Sequence, residues 1–117
     1  MHELSIAQSL VNAVVAEMGK PGREGSRLSK VCVVVGALRS VIPDYLQEAY
    51  RAVSGGTVAA NAALAIRILP IVGMCEECGW KGEMPKYRFL CGSCGSEKAR
   101  IVGGLELHLE CLEVEED

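Results

Sequence analysis

Apolar positions in residues 4–18 recur at helical spacing. Leu4, Ala7, Val11, Val14 and Met18 fall on one stripe with Leu10 beside it, which predicts an amphipathic helix. Gly19-Lys20-Pro21-Gly22 stops it, and Arg23 to Ser29 reads as a polar loop. Val31-Cys32-Val33-Val34-Val35 does not alternate. A short β-branched run of this kind predicts a strand covered on both faces, ended by Gly36. Pro43 suits the first position of a second helix, where its missing N–H costs nothing, and Asp44 complements the positive helix end. Leu46, Ala49, Tyr50 and Val53 mark the buried side of that helix, which Gly55-Gly56 closes. A second strand is predicted from about Ala62 to Leu69, with Leu64, Ile66 and Ile68 on one face. After Gly103-Gly104 the alternation returns: Leu105, Leu107, Leu109 and Cys111 face one way, Glu106, His108 and Glu110 the other. Two apolar residues adjoin at Cys111-Leu112, so the phase slips there, as at a bulge or the end of pairing.

The order is therefore α-β-α-β, an insertion, and a closing β. It predicts an α/β fold: two helices on a small three-stranded sheet, with a zinc-ribbon module inserted before the last strand. The expected division is an α/β domain of residues 1–72 plus 103–117 and a metal domain of residues 73–102. So short an insertion cannot bury enough apolar surface to fold alone, and metal binding should supply most of its stability, about 10 kcal/mol or more.

The insertion carries the clearest chemistry. Cys75-Glu76-Glu77-Cys78 and Cys91-Gly92-Ser93-Cys94 form a C-x2-C-x12-C-x2-C pattern. Two thiolate pairs joined by a short arm can converge on one tetrahedral cation, and zinc prefers such a closed sulfur cage in structural sites. Gly79 and Gly95 directly follow the pairs and suit tight knuckles, because glycine accepts positive φ. Trp80, Tyr87 and Phe89 lie around the cysteines as the ribbon's own small core or as a contact surface.

Composition narrows the setting. Half of the 117 residues are hydrophobic, but with one Trp, three Tyr and one Phe the core must be built from Val, Leu, Ile and Ala. A formal charge of −3, with Glu113, Glu115, Glu116 and Asp117 at the tail, gives no electrostatic footprint for nucleic acid. No apolar run is long enough to span a membrane, and the N-terminus has no basic segment followed by an apolar stretch. A soluble protein of the reducing cytoplasm is expected, in which Cys32 and Cys111 remain as inert, buried thiols rather than bridge partners. His108 reads as part of a solvated strand face.

The other candidate site is the start, Met1-His2-Glu3. A terminal amine, backbone amides and an imidazole within three residues can wrap one divalent cation in the planar nitrogen field that Cu(II) and Ni(II) favour. Against that stands a plainer reading, with His2 solvated and Glu3 a first-turn acid on the helix dipole.

Met1-His2-Glu3-Leu4-Ser5-Ile6-Ala7-Gln8-Ser9-Leu10-Val11 resembles the opening of the HypA/HybF family of hydrogenase maturation. The resemblance runs on through Val33-Val34-Val35-Gly36-Ala37-Leu38-Arg39-Ser40-Val41-Ile42-Pro43, the two CxxC-Gly units and the closing Leu105-Glu106-Leu107. It implies a nickel metallochaperone without enzymatic activity. Ni(II) would be held by His2 with backbone nitrogens of Met1, His2 and Glu3, and a structural Zn(II) by Cys75, Cys78, Cys91 and Cys94. It further implies delivery, with the nickel-handling GTPase HypB, to the large subunit of [NiFe] hydrogenase; some members also serve urease. The absence of any G-x-x-x-x-G-K-[ST] loop fits a protein whose nucleotide energy comes from a partner. A zinc-ribbon module for nucleic acid or protein is the alternative that the cysteine spacing alone supports. Monomer and homodimer are both compatible with so small a sheet, whose edges stay open.

Overall fold

The computed structural model describes residues 2–23, 25–86 and 88–116, without the Glu116 side chain. In chain order it has α1 (Glu3–Met18), β1 (Ser26–Gly36), a 3-10 turn (Ala37–Arg39), α2 (Pro43–Ser54), β2 (Ala63–Leu69), β3 (Val72–Cys75), β4 (Lys81–Glu83), β5 (Ala99–Gly103) and β6 (Leu107–Glu116). They form two three-stranded sheets, ordered β2-β1-β6 and β4-β3-β5. The architecture is the expected one: two helices, a small sheet closed by the last strand, and an inserted ribbon. By contacts the chain divides into a first compact unit (Met1–Val33, Val41–Arg67, His108–Asp117) and a second (Val34–Ser40, Ile68–Leu107).

In the first unit α1 packs on α2. The buried side of α1 is Ile6, Ala7, Leu10, Val11 and Val14. Leu4 was expected on this stripe but is 59% exposed. At 100° per residue it falls at the edge of the buried arc, in the first turn, and Ile6 takes the buried place. α2 opens with Pro43 at the predicted position and buries Leu46, Tyr50 and Ser54 at intervals of one turn. The Tyr50 hydroxyl donates to the Ala59 carbonyl at 3.1 Å, which satisfies the one polar atom its burial would otherwise strand. Burial also raises its ionisation above the ordinary tyrosine range.

β1 starts earlier than its apolar run suggested. Ser26 to Ser29, expected as loop, are strand because polar partners on β6 hold them there. The Ser29 hydroxyl donates to the Glu113 carbonyl at 3.0 Å, Arg27 pairs with Glu115 at 3.3 Å and Lys30 with Glu113 at 3.7 Å. Further along, Val31, Val33, Val34 and Val35 are fully buried, as a strand covered on both faces requires. Of the residues predicted on one face of β2, Leu64 is buried and Ile68 is 43% exposed. β6 continues past the slip at Cys111-Leu112, so pairing does not end there.

That slip decides the fate of two cysteines. Cys32 and Cys111 are not inert buried thiols. They form a disulfide between β1 and β6 with Cα atoms 5.0 Å apart. Cys32 is half-buried and Cys111 exposed. The change of phase turns Cys111 out of the apolar face to which strict alternation assigned it, and 79 residues of intervening chain hide the pairing from the sequence.

Glu3 does more than sit on the helix dipole. Its carboxylate accepts the Ile42 backbone N–H at 3.0 Å, at the residue that caps α2. The start of α1 is thereby tied to the start of α2. The Ile42 N–H, together with Glu3's own N–H, holds this carboxyl below the ordinary glutamate range.

In the second unit Gly36 and Gly104 meet closely. A Cβ on Gly36 would lie 2.1 Å from the Gly104 oxygen. The Gly36 N–H donates to the Glu106 carbonyl at 2.7 Å, and Leu38 N–H to Gly104 at 2.8 Å. Arg39 donates from Nε to the Leu105 carbonyl at 2.8 Å.

Two outcomes test these constraints. Gly36→Ala should lose about 3 kcal/mol, the upper end for overpacking, because the obstructing atoms are backbone; urea unfolding would measure it. Glu3→Gln should destabilise the protein at neutral pH. A depressed carboxyl contributes stability above its unfolded value and loses it as pH falls through the folded one. The difference from the parent chain should therefore close below about pH 4.

Candidate metal centre

β3, β4 and β5 build the scaffold of the four cysteines. β3 pairs antiparallel with both neighbours: Met74 faces Lys81 on β4, and Cys75 faces Ala99 on β5. Cys75 thus closes a strand, and the chain turns back at once through Glu76 to Gly79. Gly79 N–H donates to the Cys75 carbonyl at 3.1 Å, and Cys75 N–H to the Trp80 carbonyl at 2.7 Å. The second knuckle repeats this: Gly95 N–H to Cys91 carbonyl at 3.1 Å, Cys91 N–H to Ser96 carbonyl at 3.0 Å. Gly79 and Gly95 have φ of +80° and +75°, so the glycine after each pair is a conformational requirement.

Each knuckle aims backbone N–H groups at its first sulfur. Glu77 and Cys78 lie 3.4 and 3.5 Å from Cys75 Sγ, and Ser93 and Cys94 lie 3.3 and 3.2 Å from Cys91 Sγ. Such donors favour a thiolate. Cys75 and Cys91 are buried, whereas Cys78 and Cys94 are exposed.

All four sulfurs lie within 4.8 Å of one another. Across the knuckles Cys75 and Cys94 stand 3.7 Å apart, Cys78 and Cys91 3.5 Å. A regular tetrahedron with metal–sulfur bonds of about 2.3 Å has edges of about 3.8 Å. The cysteines therefore fit one tetrahedral, thiophilic cation, and with four sulfurs on it no coordination position stays open.

Their proton affinities point the same way. Lost hydration pushes the Cys91 thiol up, but the N–H groups of Cys94 and Ser93 and the thiols of Cys78 and Cys94 outweigh it and bring it to about 6. At Cys94 the Ser96 N–H favours the thiolate, yet Cys91, lost hydration, Cys75 and Cys78 push it up to about 12. Cys78 is raised as well, despite the Trp80 N–H, chiefly by Cys91. One sulfur ionises readily and its negative charge opposes the others. Only a cation among them lets all four ionise.

Trp80 is packed between β4 and the second knuckle: a Cβ on Gly82 or on Gly92 would come within 2.6 Å of its Cζ2. Trp80 is thus part of the ribbon's core. Phe89 is 42% exposed, and Tyr87 lies outside the described residues. Met84 is buried, seated over Gly73, where a Cβ would collide with its sulfur.

At the other candidate site Met1 lies outside the described residues. His2 is exposed and holds the N-cap position of α1, with φ −155° and ψ 122°. Its carbonyl accepts the Ile6 N–H at 3.0 Å, but its side chain makes no capping hydrogen bond. His108 is exposed on β6 and belongs to no group of metal-competent side chains among the described residues. Its neighbour Glu110 pairs with Arg67, which lowers the Glu110 carboxyl. Sequence reasoning missed the Glu3–Ile42 tie and the Cys32–Cys111–Glu113 cluster, because both join residues remote in the chain.

Fold and site together define a small α/β protein whose four clustered cysteines could hold one metal ion. A family model described as "Hydrogenase/urease nickel incorporation, metallochaperone, hypA" matches residues 1–114. The hydrogenase maturation factor HypA of Pelodictyon phaeoclathratiforme is 37% identical over 117 residues, covering 100% of this chain and 98% of that protein. HypA of Aquifex aeolicus is 35% identical, with both chains fully covered. The solution structure of the Ni metallochaperone HypA from Helicobacter pylori superposes with a TM-score of 0.65 over 100% of each chain, at 22% identity, which supports the fold. The chain belongs to the HypA family of nickel-incorporation metallochaperones and is not an enzyme.

Loading the cysteines should release protons. Above neutrality Cys91 gives up few, whereas Cys78 and Cys94 must each lose one, so titration calorimetry in buffers of different ionisation enthalpy should report about two or more per cation. Release of the cation is correspondingly favoured as pH falls. Chelation in mild acid should also expose Trp80, seen as a red-shifted emission. An unshifted spectrum after complete removal would show that the ribbon holds itself together without metal.

Proposed function

We propose that this chain carries Ni(II) at its N-terminal segment and passes it on during hydrogenase maturation. The carrying observation is the family match from residue 1, together with an exposed His2 whose side chain is uncommitted to capping α1. The imidazole and the backbone nitrogens of Met1, His2 and Glu3 supply the planar nitrogen set that Ni(II) favours. The Glu3 carboxylate, engaged with Ile42 N–H, steadies the segment from which those nitrogens project.

In this reading Cys75, Cys78, Cys91 and Cys94 hold Zn(II). The ion has no redox chemistry, suits four thiolates, and stabilises the ribbon without taking part in transfer. The nickel-carrying domain is residues 1–72 with 103–117, and the zinc domain residues 73–102. The recipient is the large subunit of [NiFe] hydrogenase, reached with the GTPase HypB in the cytoplasm, and urease maturation is a second outlet. No described helix is long and apolar enough to cross a membrane.

The test uses protein with a native, untagged N-terminus, because a tag removes the terminal amine. His2→Ala should abolish tight Ni(II) binding and the near-planar nitrogen signature in X-ray absorption, while zinc content stays unchanged. Retention of nickel with the same affinity and geometry would overturn the assignment of His2.

A further inference from the structure

We propose that Cys32, Cys111 and Glu113 form a second cation site, closed as a disulfide and opened by reduction. One sulfur from β1, one from β6 and a Glu113 carboxylate oxygen all lie within 4.8 Å of one another. In the closed form the two sulfurs are bonded to each other; reduction frees them to part to the ~3.8 Å of two thiolates on one ion, with the Glu113 oxygen already beside them. The two thiolates select a thiophilic, borderline divalent cation, and the carboxylate adds a harder third ligand.

The cluster differs in kind from the four-cysteine centre. Three protein ligands leave one tetrahedral position for water or an exchanging ligand, the arrangement of sites that release or pass on what they bind. It is also reachable, since Cys111 and Glu113 are exposed and Cys32 is half-buried. The strands are held beneath it by the Ser29 hydroxyl, which donates to the Glu113 carbonyl at 3.0 Å. The nearby charge is the Lys30 ammonium, 3.7 Å from a Glu113 oxygen. Both side chains are about half exposed, so this pair is weak and yields to a divalent ion.

The opening step is thiol–disulfide exchange with a low-molecular-weight thiol. A first thiolate attacks one sulfur of the bridge, giving a mixed disulfide and one free cysteine. A second thiol then releases the other cysteine and leaves as the oxidised disulfide. Two thiols are oxidised, the bridge is reduced by two electrons, and both protons pass to Cys32 and Cys111. Cation binding then displaces those protons. The oxidised form offers only Glu113 and cannot hold the ion.

Co(II) is a suitable probe because sulfur ligation gives it charge-transfer absorption. The titration uses full-length His2→Ala protein with zinc already in the four-cysteine centre. One sample is left oxidised; the other is reduced with a phosphine that is removed anaerobically. The reduced protein should take up about one further Co(II), with sulfur-to-cobalt absorption, and the oxidised protein none. Cys111→Ser should abolish the gain. Glu113→Gln should weaken it by about tenfold, at least what a supporting ligand contributes. Equal uptake by the two forms, or uptake that survives Cys111→Ser, would overturn the proposal; undiminished affinity in Glu113→Gln would overturn the three-ligand assignment. The oxidised parent is the same folded chain, so a misfolded variant cannot mimic success. His2 takes no part, and a failure here leaves the N-terminal nickel site standing.

Discussion

Four sulfurs within 4.8 Å of one another cannot all be negative unless a positive charge lies among them. The second unit is arranged around that constraint. Its strands are short, of three to five residues, and the buried side chains of the ribbon itself are two of the cysteines, Ile71 and Met84. Hydrophobic burial on this scale does not offset the chain entropy of ordering about thirty residues. The backbone N–H groups around Cys91 lower the cost of the first charge, and a bound cation would make up the rest.

The first unit answers to a different economy. Its two helices and central strand bury branched aliphatics in the ordinary way, and its polar contacts select register. Ser29, Arg27 and Lys30 meet Glu113 and Glu115 and fix how β6 lies along β1. Glu3 reaches Ile42 and fixes how the two helix starts relate. Exposed ion pairs contribute little energy singly, yet a slip of one residue would reverse the faces of a whole strand. Their value lies in excluding wrong registers.

Much of this was legible because it is local. Helix periodicity, Pro43 at a helix start, glycines after each CxxC and the non-alternating valines are each decided within a few residues, and the family resemblance then joined them. What was not legible is relational. Leu4 lost its place to Ile6 because the burial arc is set by what α2 covers. Ser26 to Ser29 became strand because of partners more than 80 residues away. Cys32 and Cys111 met because a phase slip turned one of them outward. In the metal centre the sequence named a plausible ligand set, while the split between buried first and exposed second cysteines emerges only from the knuckle geometry.

His2 opens α1 without a capping side chain, at a position where serine, threonine, aspartate or asparagine would add about 1 kcal/mol. The helix thus begins at a residue that is poor for the helix. Under selection for thermal endurance alone, position 2 should drift readily toward aspartate. If His2 holds nickel, as proposed, cells that depend on that metal should keep histidine there. On that proposal the cap is a place where durability and cargo pull against each other, and competition between lineages would read which one a given habitat rewards.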